Sequence, residues 1–102
     1  MVFKIVWTPK ALDSYIANMH YLELAWTAKE VQAFALLVEE KLHLLANQPE
    51  IGAPVSKTQV DIRKLVLHKR VILVYRTLPN KAEIHLLLFW NTYQNPLQLK
   101  AI

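Results

Sequence analysis

The chain has 102 residues, 54% of them apolar, with no cysteine, a single glycine and a formal net charge of +4. That length suits one domain spanning residues 1–102 with an adequate core. The composition excludes a disordered chain of ordinary type, a disulfide scaffold and any cysteine-based metal or nucleophile site.

In chain order, Val2 to Trp7 is a short β-branched and aromatic run, read as a first strand. Thr8-Pro9 opens a helix, Thr as N-cap and Pro at the first position, where its missing N–H costs nothing. Leu12, Tyr15, Ile16, Met19 and Leu22 follow at helical spacing and predict one apolar stripe. Thr27-Ala28-Lys29-Glu30 has the form of a capping box. The second helix carries Val31, Phe34, Ala35, Val38, Leu42 and Leu45 inward and stops at Asn47-Gln48-Pro49. Two helices joined this tightly are expected to pack as an antiparallel hairpin.

Glu50 to Gln59, with Gly52 and Pro54, reads as the one real loop. The hydrophobic period then changes from 3.6 to 2. Asp61 to Leu67 alternates Arg63, Leu65 and Leu67 against Ile62, Lys64 and Val66. Val71 to Tyr75 is continuously apolar, as a central strand buried on both faces would be. Leu78 to Lys81 is a turn, and Ala82 to Trp90 a last strand. The predicted order is β-α-α-β-β-β: an N-terminal strand, a helix hairpin covering one face, and a three-stranded antiparallel meander. That is an α+β domain.

The opening residues lack the charged start and apolar run of a signal peptide. No apolar run approaches the ~18–20 residues of a membrane span, so a soluble cytoplasmic protein is expected. Lys10 to Glu50 holds three basic and six acidic residues, whereas Lys57 to Lys81 holds seven basic residues and only Asp61 against them. The basic half suits a polyanion or an acidic partner peptide; the same residues equally serve to blunt sheet edges. The four histidines show no metal-ligand spacing, and Ser14 and Ser56 lack a nucleophile's context. Neither metal nor cofactor is called for. The residues left for chemistry are Arg63 and Arg76 as phosphate or charge stabilisers, His68 as acid or base, and Tyr93 as a stacking or hydroxyl group. Lys64, Lys69 and Arg70 would add phosphate contacts. Each also has a plain structural reading: Arg63 in a salt bridge with Asp61 or a helix acid, His68 in a turn, Tyr93 against a helix.

Several short patterns together resemble the RelE/ParE toxins of type II toxin–antitoxin systems. They are Trp7-x-x-x-Ala11, Leu45-x-x-x-Pro49-x-x-Gly52, Ile62-Arg63-Lys64-Leu65, the run Val71 to Arg76, and Asn95-Pro96. The resemblance covers essentially the whole chain. It implies a toxin neutralised by a cognate antitoxin that lays a C-terminal segment over the helices and sheet. RelE-like members cut messenger RNA on the ribosome without a metal, using basic and Tyr side chains; ParE-like members poison DNA gyrase. Ile72 stands where ribonuclease members often carry Arg, and Tyr93 where many relatives do, while the long helix hairpin and the Pro49-x-x-Gly52 loop are ParE-like. A third expectation is a decayed toxin that only binds its antitoxin. A homodimer or a toxin–antitoxin hetero-oligomer fits each of these.

Overall fold

The computed structural model describes residues 2–59, 61–68 and 71–92. Its elements are β1 (Lys4–Trp7), α1 (Pro9–Ala25), α2 (Ala28–Asn47), β2 (Ala53–Pro54), β3 (Ile62–His68), β4 (Val71–Leu78), a 3-10 turn (Pro79–Lys81) and β5 (Glu83–Asn91). The sheet order is β1-β5-β4-β3-β2. β1 runs parallel to β5, and the other neighbours are antiparallel. The expected α+β order holds, with one addition: the stretch read as loop contributes the two-residue strand β2 beside Arg63 and Lys64.

The local signals act as expected. Thr8 Oγ1 accepts the Ala11 amide, and Pro9 follows it as the first helical residue. Both bonds of the Thr27–Glu30 capping box form, satisfying two amides that the start of a helix would otherwise leave orphaned. α2 closes at Gln48, one residue before the proline.

β4 is the centre of the molecule. Val71, Leu73 and Tyr75 face the helices and join Leu22, Phe34, Val38, Leu45, Leu86 and Phe89 in the main core. Val74 points the other way and packs with Ile62 and Leu88. A register shift places Leu86 opposite Tyr75 and Leu88 opposite Val74. Leu87 is therefore a bulged extra residue that re-aims the rest of β5.

The first helix departs from the predicted stripe. Tyr15, Met19 and Leu22 pack inward, but Leu12 and Ile16 are each 47% exposed, and Ala11 and Asn18 are buried instead. The reason is the edge of β5. β1 covers that edge only as far as Leu86, and beyond it α1 lies directly along the strand. Ser14 Oγ accepts the Phe89 amide at 2.9 Å, and Asn18 Nδ2 donates to the Phe89 carbonyl at 2.9 Å. A buried strand edge must find hydrogen-bond partners, so α1 turns a polar pair inward and leaves two apolar residues outside. α1 packs mainly on β5, and α2 packs on α1 and reaches β1 and β3, so the helix pair covers one face of the sheet as expected. No helix among the described residues is long and apolar enough to cross a membrane.

Candidate functional site

Arg63 and Tyr75 are cross-strand partners on the helix side of the sheet. Tyr75 is fully buried. Its hydroxyl donates to the Pro49 carbonyl and accepts the Gly52 amide, both at 2.9 Å. Arg63 Nη1 donates to the Gly52 carbonyl at 2.8 Å and, more weakly, to that of Glu50 at 3.4 Å. Together they tie the loop after α2 to the sheet. Gly52 is required there because a Cβ would sit 2.6 Å from the Tyr75 hydroxyl and 2.7 Å from the Lys64 carbonyl oxygen. The Pro49-x-x-Gly52 pattern is thus the imprint of this knot. Burial pushes the Tyr75 phenol above its ordinary pKa, against the smaller lowering effects of the Gly52 amide and the nearby Arg63.

His68 lies at the far end of β3. Its ring packs edge-on against Trp26 at 4.9 Å and Phe34 at 6.3 Å, and Trp26 in turn meets Phe34 at 6.0 Å. Four residues of strand lie between it and Arg63, a span of roughly 15–17 Å. Arg76 follows Tyr75 directly and so points to the opposite face, where its Nε lies 3.3 Å from Asp61 Oδ2. Asp61 therefore pairs with Arg76 and not with Arg63. Of the expected chemical residues, the fold brings none of Arg63, His68 and Arg76 together. Lys64 is exposed on the open face. Lys69, Arg70 and Tyr93 lie outside the described residues.

The sheet face away from the helices is the other candidate surface. Ile62, Val74 and Leu88 form its apolar centre, with Leu87 and Trp90 packed against them. Strand alternation puts Lys64, Val66, Ile72, Arg76 and His85 on the same side. His85 Nε2 lies 3.0 Å from Glu83 Oε1, and this hydrogen bond holds the Glu83 carboxyl below its ordinary pKa. Such a face suits an anion or an acidic segment. No group of three or more His, Asp or Glu among the described residues is placed to hold a metal ion.

Sequence reasoning missed three features. The Ser14–Asn18 seal was legible as two polar residues, four apart, on the stripe of Ala11 and Leu22. The Tyr75 knot had a signal in the lone glycine three residues after Pro49. The Trp26–Phe34–His68 cluster had none, because its members are brought together only by tertiary packing.

The family model that describes the ParE toxin of the type II toxin–antitoxin system parDE matches residues 5–96. The chain is similar to the chromosomal ParDE system of P. aeruginosa, at 18% identity and TM-score 0.69, over 88% of this chain and 96% of that one. It resembles the RelBE2 toxin–antitoxin complex of Mycobacterium tuberculosis at 15% identity and TM-score 0.62, over 89% of this chain and 99% of that one. A mutant of the E. coli toxin RelE in the free state matches at 15% identity and TM-score 0.62, over 100% of this chain and 99% of that one. Identities this low bear on the fold alone. A comparison with curated protein sequences finds no match.

Proposed function

The chain belongs to the ParE toxin family of type II toxin–antitoxin systems, and from that premise we propose that it inhibits DNA gyrase by binding, and that a cognate antitoxin neutralises it. The observation that carries this reading is the separation of Arg63, His68 and Arg76. Metal-free cleavage of a phosphodiester needs a cation at the phosphate and a proton-transfer group within hydrogen-bond reach of the same atoms. Here Arg63 holds the Gly52 loop, His68 is packed among aromatic rings, and Arg76 is paired with Asp61 on the opposite face. A binding inhibitor needs no such convergence. The antitoxin finds two complementary features: the basic open face, and the edge of β3, which β2 and Val55 cover only from Ile62 to Lys64. An acidic segment adding a strand there would use both. The cytoplasm is the compartment this reading implies.

The second reading, cleavage of ribosome-bound message, draws support from the cations Lys64 and Arg76 around the apolar centre of the open face. The test is purified gyrase supercoiling beside cleavage of ribosome-bound message, with the parent, Arg63→Ala and Tyr93→Arg chains. We expect supercoiling to be inhibited and message to stay intact with the parent. Message cleavage by the parent with gyrase unaffected would reverse the assignment. Antitoxin binding with neither activity would leave the decayed toxin.

A further inference from the structure

We propose that the tip of the helix pair is a docking site for an arginine side chain of a partner protein, received between Trp26 and Glu23. Where α1 ends and α2 begins there is an open cleft of about 340 Å³, lined by Glu23, Trp26, Ala28, Val31 and Gln32. Among the described residues it is walled by aromatic and aliphatic groups, with one carboxylate and one amide and no basic side chain.

Three independent features select a cation with an apolar stem over a plain apolar group. First, Trp26 is only partly buried, and its indole is fixed in place by edge-on packing on Phe34 and His68. An indole held in this way is the best of the aromatic partners for a guanidinium. Second, Glu23 is exposed, and no ion pair or hydrogen bond engages its side chain among the described residues. It sits in the last turn of α1, which contains no basic residue. A carboxylate at the negative end of a helix dipole is locally unfavourable; a cation bound beside it relieves both. Third, the positive end of α2 at the same tip is already answered by Glu30 of the capping box, which leaves Glu23 and the carbonyls that end α1 as acceptors for a cation. Arg is preferred to Lys because its planar head can stack on the indole while donating to Glu23 and the Gln32 amide oxygen. The acidic balance of Lys10 to Glu50 extends the same complementarity along the helices.

Such a cleft can receive arginine whether or not gyrase is the target, and it is tested with neither gyrase nor ribosome. The full chain is titrated with acetyl-Gly-Arg-Gly-amide while the indole N–H signals are followed by NMR. Trp7 and Trp90 serve as internal controls. Two matched peptides carry citrulline, the uncharged isostere of arginine, or leucine. A saturable shift confined to Trp26 is expected with the arginine peptide and not with the other two. Glu23→Gln should weaken binding about two- to five-fold, the size of an exposed cation–π contact or ion pair, with the folded spectrum otherwise retained. Any of three results overturns the proposal: no saturable shift at Trp26, equal binding of the leucine or citrulline peptide, or unchanged affinity in Glu23→Gln.

Discussion

Removing one oxygen atom, in Tyr75→Phe, tests whether the knot around Gly52 holds the fold together. The ring keeps its place in the core, so no cavity opens. The buried Gly52 amide loses its partner, and the Pro49 carbonyl loses its donor. An orphaned buried N–H costs about 1–3 kcal/mol and a lost hydrogen bond about 0.5–1.5 kcal/mol. The sum is roughly 2–4 kcal/mol, a large part of the stability of a chain this size. Urea unfolding should show a lower midpoint with an unchanged slope, and Tm should fall by roughly 10–20 °C. Tyr15→Phe is the control: the Tyr15 hydroxyl makes no hydrogen bond among the described residues, and the change should stay within about 0.5 kcal/mol. Gly52→Ala supplies a second arm, since its Cβ meets both the Tyr75 hydroxyl and the Lys64 carbonyl. In the Tyr75→Phe background the hydroxyl contact is gone, while those to the Lys64 carbonyl and the ring Cε1 stay, so the double variant should cost less than the sum of the two. Strict additivity, or a Tyr75→Phe chain as stable as the parent, would refute the reasoning. The knot also sets an alkaline limit. The folded pKa of Tyr75 lies above its unfolded value of about 10, so its contribution is intact below pH 10 and is lost as pH rises through the folded value. Tyr75→Phe should flatten that decline.

Ser14→Ala should cost about 1–3 kcal/mol for a single half-buried hydroxyl, because it strands the Phe89 amide; hydrogen exchange at Phe89 reads the loss directly. Val38→Ala should cost about 2–4 kcal/mol in chemical denaturation, whereas Ile16→Ser, on the exposed side of α1, should change stability by less than about 1 kcal/mol. The order would reverse if α1 buried its predicted stripe. The Glu83 carboxyl should titrate below an ordinary glutamate by NMR and return to the normal range in His85→Ala. Its stabilising effect is present above the unfolded pKa and is lost as pH falls through the lower folded one.

The element order, both helix starts, the stop at Pro49 and the double burial of the Val71–Tyr75 strand were all legible in the sequence. Each is fixed by residues a few positions apart: a hydroxyl capping an amide three residues on, a proline without a donor, a run with no polar alternation. Family membership was legible for a related reason, since its patterns keep the spacing of those same local devices. The sense of α1 was not. The predicted stripe of Leu12, Tyr15, Ile16, Met19 and Leu22 and the buried one of Ala11, Tyr15, Asn18, Met19 and Leu22 differ by a small rotation, and amphipathicity favours the first. The second wins because β1 stops at Leu86 and leaves the Phe89 backbone to be satisfied by something else. Nor could the sequence assign Arg63 and Arg76. They carry the same charge on the same small sheet, and only the pairing of β3 with β4 turns one toward the Gly52 loop and the other toward Asp61. Partners 11 or more residues apart are chosen by the packed backbone, which sets which donors are buried and must be answered.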